Sequence, residues 1–192
     1  MKSWYHFDMK IIYKSLISPE ELSKFDVHKA GVNAILSKVN LQYLNFIEAS
    51  KQEKNVHLVI KNKKTNKVFR LKVFTTKSPP ENTRRGYGID WVLSPGDLKL
   101  TDNDFYFAFV HINIKKINTN EYELNYRFFI VPSKKAIQYT KESFELWLNQ
   151  RKTRSEDNNL LKFLLGEEGN DYPTEFETLM QEDYEDNWDL LK

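Results

Sequence analysis

The sequence predicts an α/β (α+β) protein whose central mixed sheet of about six strands is flanked by helices. Three observations carry that prediction. Apolar residues recur at helical spacing near the N-terminus and again after residue 132. Between those stretches they alternate with period two, or run unbroken as in a strand buried on both faces. The resulting order of helices, strands and helices is that of a sheet covered by its terminal helices. At 192 residues the chain has room for one domain of ordinary size plus an extension. The expected division is a domain over 1–150 and a helical, acidic extension over 151–192 packed on it.

The first helix start is Ser18-Pro19-Glu20-Glu21, in which serine caps, proline suits the first turn and the acid three residues on completes a capping box. Val27, Ala30, Ala34, Ile35 and Val39 share one side of a second helix, interrupted only by Gly31. Strands are expected at Tyr43–Glu48, Val56–Ile60 and Val68–Phe74, the last with Phe69, Leu71 and Val73 on one face. A polar hairpin loop, residues 61–67, joins the last two. Ser78-Pro79-Pro80 breaks the chain, and Arg84-Arg85-Gly86-Tyr87-Gly88 follows as a basic loop. A short strand at Ile89–Leu93 precedes two long ones, Phe105–Ile114 and Tyr122–Val131, joined through Asn118-Thr119-Asn120. Pro132-Ser133 ends the sheet and caps a helix holding Ala136, Ile137, Phe144, Leu146, Trp147 and Leu148. A polar linker, a short apolar turn of helix at Leu160–Leu165 and an acidic amphipathic segment, Phe176–Leu191, complete the reading.

Composition removes several classes of protein. Hydrophobic residues make up 40% and aromatics 14%, enough for a real core, so disorder throughout is excluded. No cysteine is present, which excludes disulfides, thiolate zinc sites and thiol nucleophiles. The four histidines, His6, His28, His57 and His111, show none of the short spacings of a zinc site. No apolar run is long enough to cross a bilayer, and the N-terminus lacks a secretory pattern, so no membrane partner and a cytoplasmic location are expected. A net charge of +2 conceals a polarised chain. Between Lys51 and Arg85 eleven Lys or Arg stand against two acids, whereas from Glu167 onward ten acids stand against one lysine. A basic middle attracts phosphate backbone; an acidic tail repels it or folds over the basic surface. Both blocks are also what ordinary solvated faces look like.

From Val27 onward the landmarks run in order as a helix, strands ending in a lysine, Trp91-Val92-Leu93, Asp104 to Val110, Phe128-Phe129-Ile130-Val131-Pro132-Ser133, Trp147-Leu148 and Asn187-Trp188. That order resembles small PD-(D/E)XK, or restriction-endonuclease-like, proteins. The resemblance implies a restriction-endonuclease-like fold, a bacterial setting among restriction or mobile-element proteins, and descent from a Mg²⁺-dependent nuclease. Such a nuclease needs hard oxygen ligands around its cation, with a lysine that orients water and neutralises developing charge. Matched by strand order, the expected aspartate is His57, the expected Glu or Gln is Arg70, and the helix Glu falls at Val32; only Lys72 fits. Imidazole and guanidinium in place of carboxylates put cations together that repel by roughly 1–4 kcal/mol per pair. The expectation is therefore a positively charged pocket without metal or cofactor, in which His57 is either a hydrogen-bonded partner or, with Arg70 and Lys72, part of a cationic cradle for phosphate.

Three functions remain open. The first is a catalytically degenerate PD-(D/E)XK-like protein that binds DNA or RNA without cleaving it, through Lys61, Lys63, Lys64, Lys67, Arg84 and Arg85; arginines beside Tyr87 suit backbone contact and base stacking. The second is an active Mg²⁺-dependent endonuclease with relocated acids, Glu48 and Asp90, beside Lys72. The third is a protein-interaction subunit that docks a protein partner through its acidic C-terminal segment.

Overall fold

The computed structural model describes residues 13–41, 44–47, 55–83, 86–149 and 161–192. Strand β1 (Tyr13–Ile17) leads into helix α1 (Pro19–Ser23), which has the capping box its sequence specifies. The Ser18 hydroxyl accepts from Glu21 N–H at 3.3 Å, and Ser18 N–H donates to the Glu21 carboxylate at 2.7 Å. Asp26 then starts helix α2 (Val27–Leu41), its carboxylate accepting from Lys29 N–H at 3.0 Å. Ala34, Ile35 and Val39 of α2 are buried on one stripe. Gly31 sits where α2 crosses the sheet: a Cβ there would lie 1.9 Å from the Thr75 hydroxyl, so no larger residue permits this approach.

After α2 come β2 (Leu44–Ile47), β3 (Leu58–Asn62) and β4 (Val68–Thr76), an antiparallel meander. Strands β5 (Glu81–Thr83) and β6 (Gly86–Leu93) follow, then β7 (Phe105–Asn118) and β8 (Glu121–Pro132). Helix α3 (Ser133–Asn149), strand β9 (Leu161–Gly166), helix α4 (Gln181–Tyr184) and a 3-10 turn over Trp188–Leu191 close the described chain. The fold is α+β, built on a mixed six-stranded sheet in the order β1-β8-β7-β4-β3-β2. All its pairings are antiparallel except β4 with β7. None of the described helices is long and apolar enough to span a membrane.

The expected count of six holds, but its membership differs. Strand β6, expected in the main sheet, belongs to a separate three-stranded sheet, β5-β6-β9. Its place is taken by β1, for which no strand was expected. The segment Leu160–Leu165, expected as a turn of helix, contributes β9 instead, paired along β6 from Leu93↔Leu161 to Gly88↔Gly166. The segment 176–191 is not one amphipathic helix but α4 and the 3-10 turn, separated by Asp186 in the left-handed region (φ 51°). Leu179, Trp188 and Leu191 nevertheless reach the interior. Ser133 does open α3, yet its buried hydroxyl has no hydrogen-bond partner, so it supplies no side-chain cap.

Two cores share β7 as a common wall. Ala108, Val110 and Ile112 face α2, β3 and the end of the chain, together with Leu71, Val73, Phe128, Trp188 and Leu191. Phe105, Phe107 and Phe109 face the opposite way, towards the small sheet and α3. There Phe109 stacks on Phe163 (4.4 Å) and contacts Trp91 (4.9 Å). Each of these buried rings contributes about 1.5–3 kcal/mol through removal of apolar surface from water. The last residues strap the first core. Arg127 makes a two-pronged pair with Glu185 (2.9 and 3.0 Å), and the deeply buried Lys38 reaches Asp186 at 3.1 Å.

Candidate functional site

Arg70, Lys72 and Phe74 project from one face of β4, because alternate residues of a strand share a face. Parallel pairing with β7 brings the turn before β7 alongside Arg70, whose N–H donates to Asp104 C=O at 2.9 Å. The Arg70 guanidinium then grips the Asp104 carboxylate through Nε (3.0 Å) and Nη2 (2.7 Å), and its Nη2 also reaches Asp102 at 2.7 Å. These bonds hold the guanidinium even more firmly protonated than usual, Asp104 being the main cause, and hold the Asp104 carboxyl below the usual carboxylate range. The Arg70 group lies 5.4 Å from the Phe105 ring centroid, a cation–π contact.

Two residues along, Lys72 Nζ bonds directly to Asp97, the first residue of a 3-10 turn (Asp97–Lys99) that follows β6. Asp97 is 2% exposed and Lys72 13%. The other carboxylate oxygen of Asp97 accepts from Ser94 N–H at 2.7 Å and from the Ser94 hydroxyl at 2.9 Å. Asn55 Oδ1 stands 3.5 Å from Lys72 Nζ.

His57 sits just ahead of β3. Its N–H donates to Leu71 C=O (2.9 Å), and its Nδ1 accepts from Val73 N–H (3.0 Å). A ring nitrogen that accepts carries no proton, so the neutral ring holds its proton on Nε2. Burial, then the neighbouring His28 and Lys72, lower the imidazole pKa below 6.5. His28 meets the ring edge-on, with centroids 4.8 Å apart.

The structure thus brings His57 and Lys72 together, with Arg70 on the same strand face as Lys72, but not as a cationic cradle. That expectation is corrected: Arg70 has Asp102 and Asp104, and Lys72 has Asp97. All three acids arrive from segments after β6, distant in the chain, so no local spacing announced them. The nearest signals were the turn Ser94-Pro95-Gly96-Asp97 and the Asp104 landmark. Val32 lies on α2, half-buried against the first core. Asp90 is on β6, where Lys162 of β9 engages it at 2.6 Å. Glu48, Arg84 and Arg85 lie outside the described residues. Lys63, Lys64 and Lys67 are exposed on the β3–β4 hairpin, and Lys61 is half-buried on β3. The hairpin is pinned by Asn62, whose side-chain oxygen accepts from Lys64 N–H (2.8 Å) and Thr65 N–H (3.1 Å).

The chain matches no family model, no curated protein and no solved structure.

The donor set does not fit Mg²⁺. The cation wants several oxygens it need not share, whereas both Asp97 oxygens are taken by Lys72 and Ser94 and those of Asp104 by Arg70. Among the described residues no group of three or more His, Asp or Glu is placed to hold a metal ion.

Proposed function

We propose that this chain is a catalytically degenerate relative of PD-(D/E)XK nucleases that binds nucleic acid through the β3–β4 hairpin and does not cleave it with a metal. The observation that carries the binding half is the hairpin itself. Lys63, Lys64 and Lys67 are exposed on a turn whose backbone is fixed by Asn62. A fixed turn presents its charges to a phosphate backbone with little further ordering cost. The arrangement of α2, the β2-β3-β4 meander and the parallel β7 supports the kinship. Asp97 supports the loss of chemistry: the carboxylate nearest the matched Lys72 is already saturated by hydrogen bonds.

The test is binding of fluorescent oligonucleotides measured over a range of salt. Affinity should fall linearly on a log–log scale, and the double variant Lys63→Ala/Lys64→Ala should flatten the slope by about 1.5–2. Binding that is absent, or indifferent to salt, would sink the proposal. So would plasmid cleavage in Mg²⁺ or Mn²⁺ that disappears with Lys72→Ala.

A further inference from the structure

A cleft of about 340 Å³ opens beside the same hairpin, lined by Lys67, Val68, Asn103, Asp104, Tyr106, Leu190 and Lys192, with the buried Phe69 beneath. Its volume is at the small end of the about 300–1,000 Å³ typical of ligand sites, room for one flat heterocycle and little more. Its chemistry is divided. The Tyr106 ring, itself braced edge-on against Phe69 (5.8 Å), offers an aromatic face with Val68 and Leu190 around it. Asn103 offers an amide of the kind that reads the edge of a base, its oxygen also accepting from Lys134 Nζ at 2.7 Å. Lys67 supplies a cation on the rim, whereas Lys192 is paired with Asp189 and Asp104 with Arg70. Lys67 already points across the cleft, donating to the main-chain oxygen of Lys192 at 3.2 Å.

We infer that this cleft receives one unpaired base of a nucleic-acid strand whose phosphates run along the hairpin lysines, so that single strands are preferred over duplex. The inference rests on the nucleic-acid reading above and adds the form of the ligand. Stacking needs a base released from its pair, and a duplex keeps its base faces covered. Aromatic stacking tolerates any base, so the preference is for strandedness rather than for sequence.

Anisotropy titrations with a labelled single strand and with the blunt duplex of the same sequence test it. The single strand should bind about tenfold tighter, and Tyr106→Leu should remove most of that advantage while leaving duplex binding unchanged. Tyr106→Phe, which keeps the ring, should behave like the parent. Asn103→Ala, at an exposed position where the lost contact is that with Lys134, should weaken the single strand alone. Equal affinity for the two forms overturns the cleft assignment, as does a single-strand affinity indifferent to both Tyr106→Leu and Asn103→Ala. In either case loss of binding in Lys63→Ala/Lys64→Ala still upholds the hairpin reading. No binding of either form at low salt overturns both. Adenosine monophosphate competing as well as the strand does would reassign the cleft to free nucleotides and overturn the strand assignment.

Discussion

Lys72 and Asp97 form the most enclosed ion pair beside the candidate site, and their worth is conditional. Taking both charges from water costs several kcal/mol per ion, which the pair recovers only because Ser94 and Asn55 satisfy the remaining valences. Asp97→Asn keeps an acceptor for Ser94 but strands the ammonium. It should therefore lower stability by about 3–5 kcal/mol, read from the urea midpoint. Lys72→Met combined with Asp97→Leu should cost much less than that, since no charge is stranded; a full loss in the double variant would refute the pairing. His57 and His111 supply a pH dependence. Both have pKa values below the ordinary 6.5, with burial the main cause, so the unfolded chain takes up their protons first as acid is added. Stability is then complete above about pH 6.5 and falls as the pH drops towards the folded-state values. His57→Asn preserves the acceptor used by Val73, and His111→Gln preserves the group facing the Ser78 carbonyl (3.0 Å). Together they should flatten the melting temperature between neutral and mildly acidic pH. An unchanged acid slope would count against this account.

At the level of elements, α2 against β4 is the contact most sensitive to one atom. Gly31→Ala improves helix propensity by about 1 kcal/mol but drives a methyl into Thr75, an overpacking of about 1–3 kcal/mol. A net loss of stability is expected, and a gain in the denaturation midpoint would show that the helix can move away. Much of this layer was legible in sequence. The capping box at Ser18, the α2 stripe, the β3–β4 hairpin and the unbroken run of β7 all express local rules, and local rules were kept. Strand β9 was not legible, because a six-residue apolar run is consistent with strand and helix alike until a partner is known. Only β6 decides the matter, and β6 is far away in the chain. The same reason hid the acids of the site: His57, Arg70 and Lys72 lie on one meander and could be read together, whereas Asp97, Asp102 and Asp104 reach them only through the parallel β4–β7 crossover.

At the level of the molecule, the shared wall couples the two cores into one cooperative unit. Trp91 reports on one core and Trp188 on the other. Versions with Trp4, Trp147 and one of these two replaced by Phe should lose fluorescence at the same urea concentration, coincident with far-ultraviolet dichroism. Separate midpoints would mean that the two cores unfold independently. The acidic tail belongs to this scale as well. Because Glu185 and Asp186 pair with Arg127 and Lys38, and Trp188 and Leu191 fill the first core, a truncated chain reports on folding as much as on any partner.

The alternation along β7 has an evolutionary corollary. Phe109 and Val110 are joined by a peptide bond yet belong to different interiors, so drift at one places no demand on the other. Phe109 and Phe163, remote in the chain, lie ring upon ring. Among sister sequences it is the remote pair that should change in step, and the covalent neighbours that should vary freely of each other.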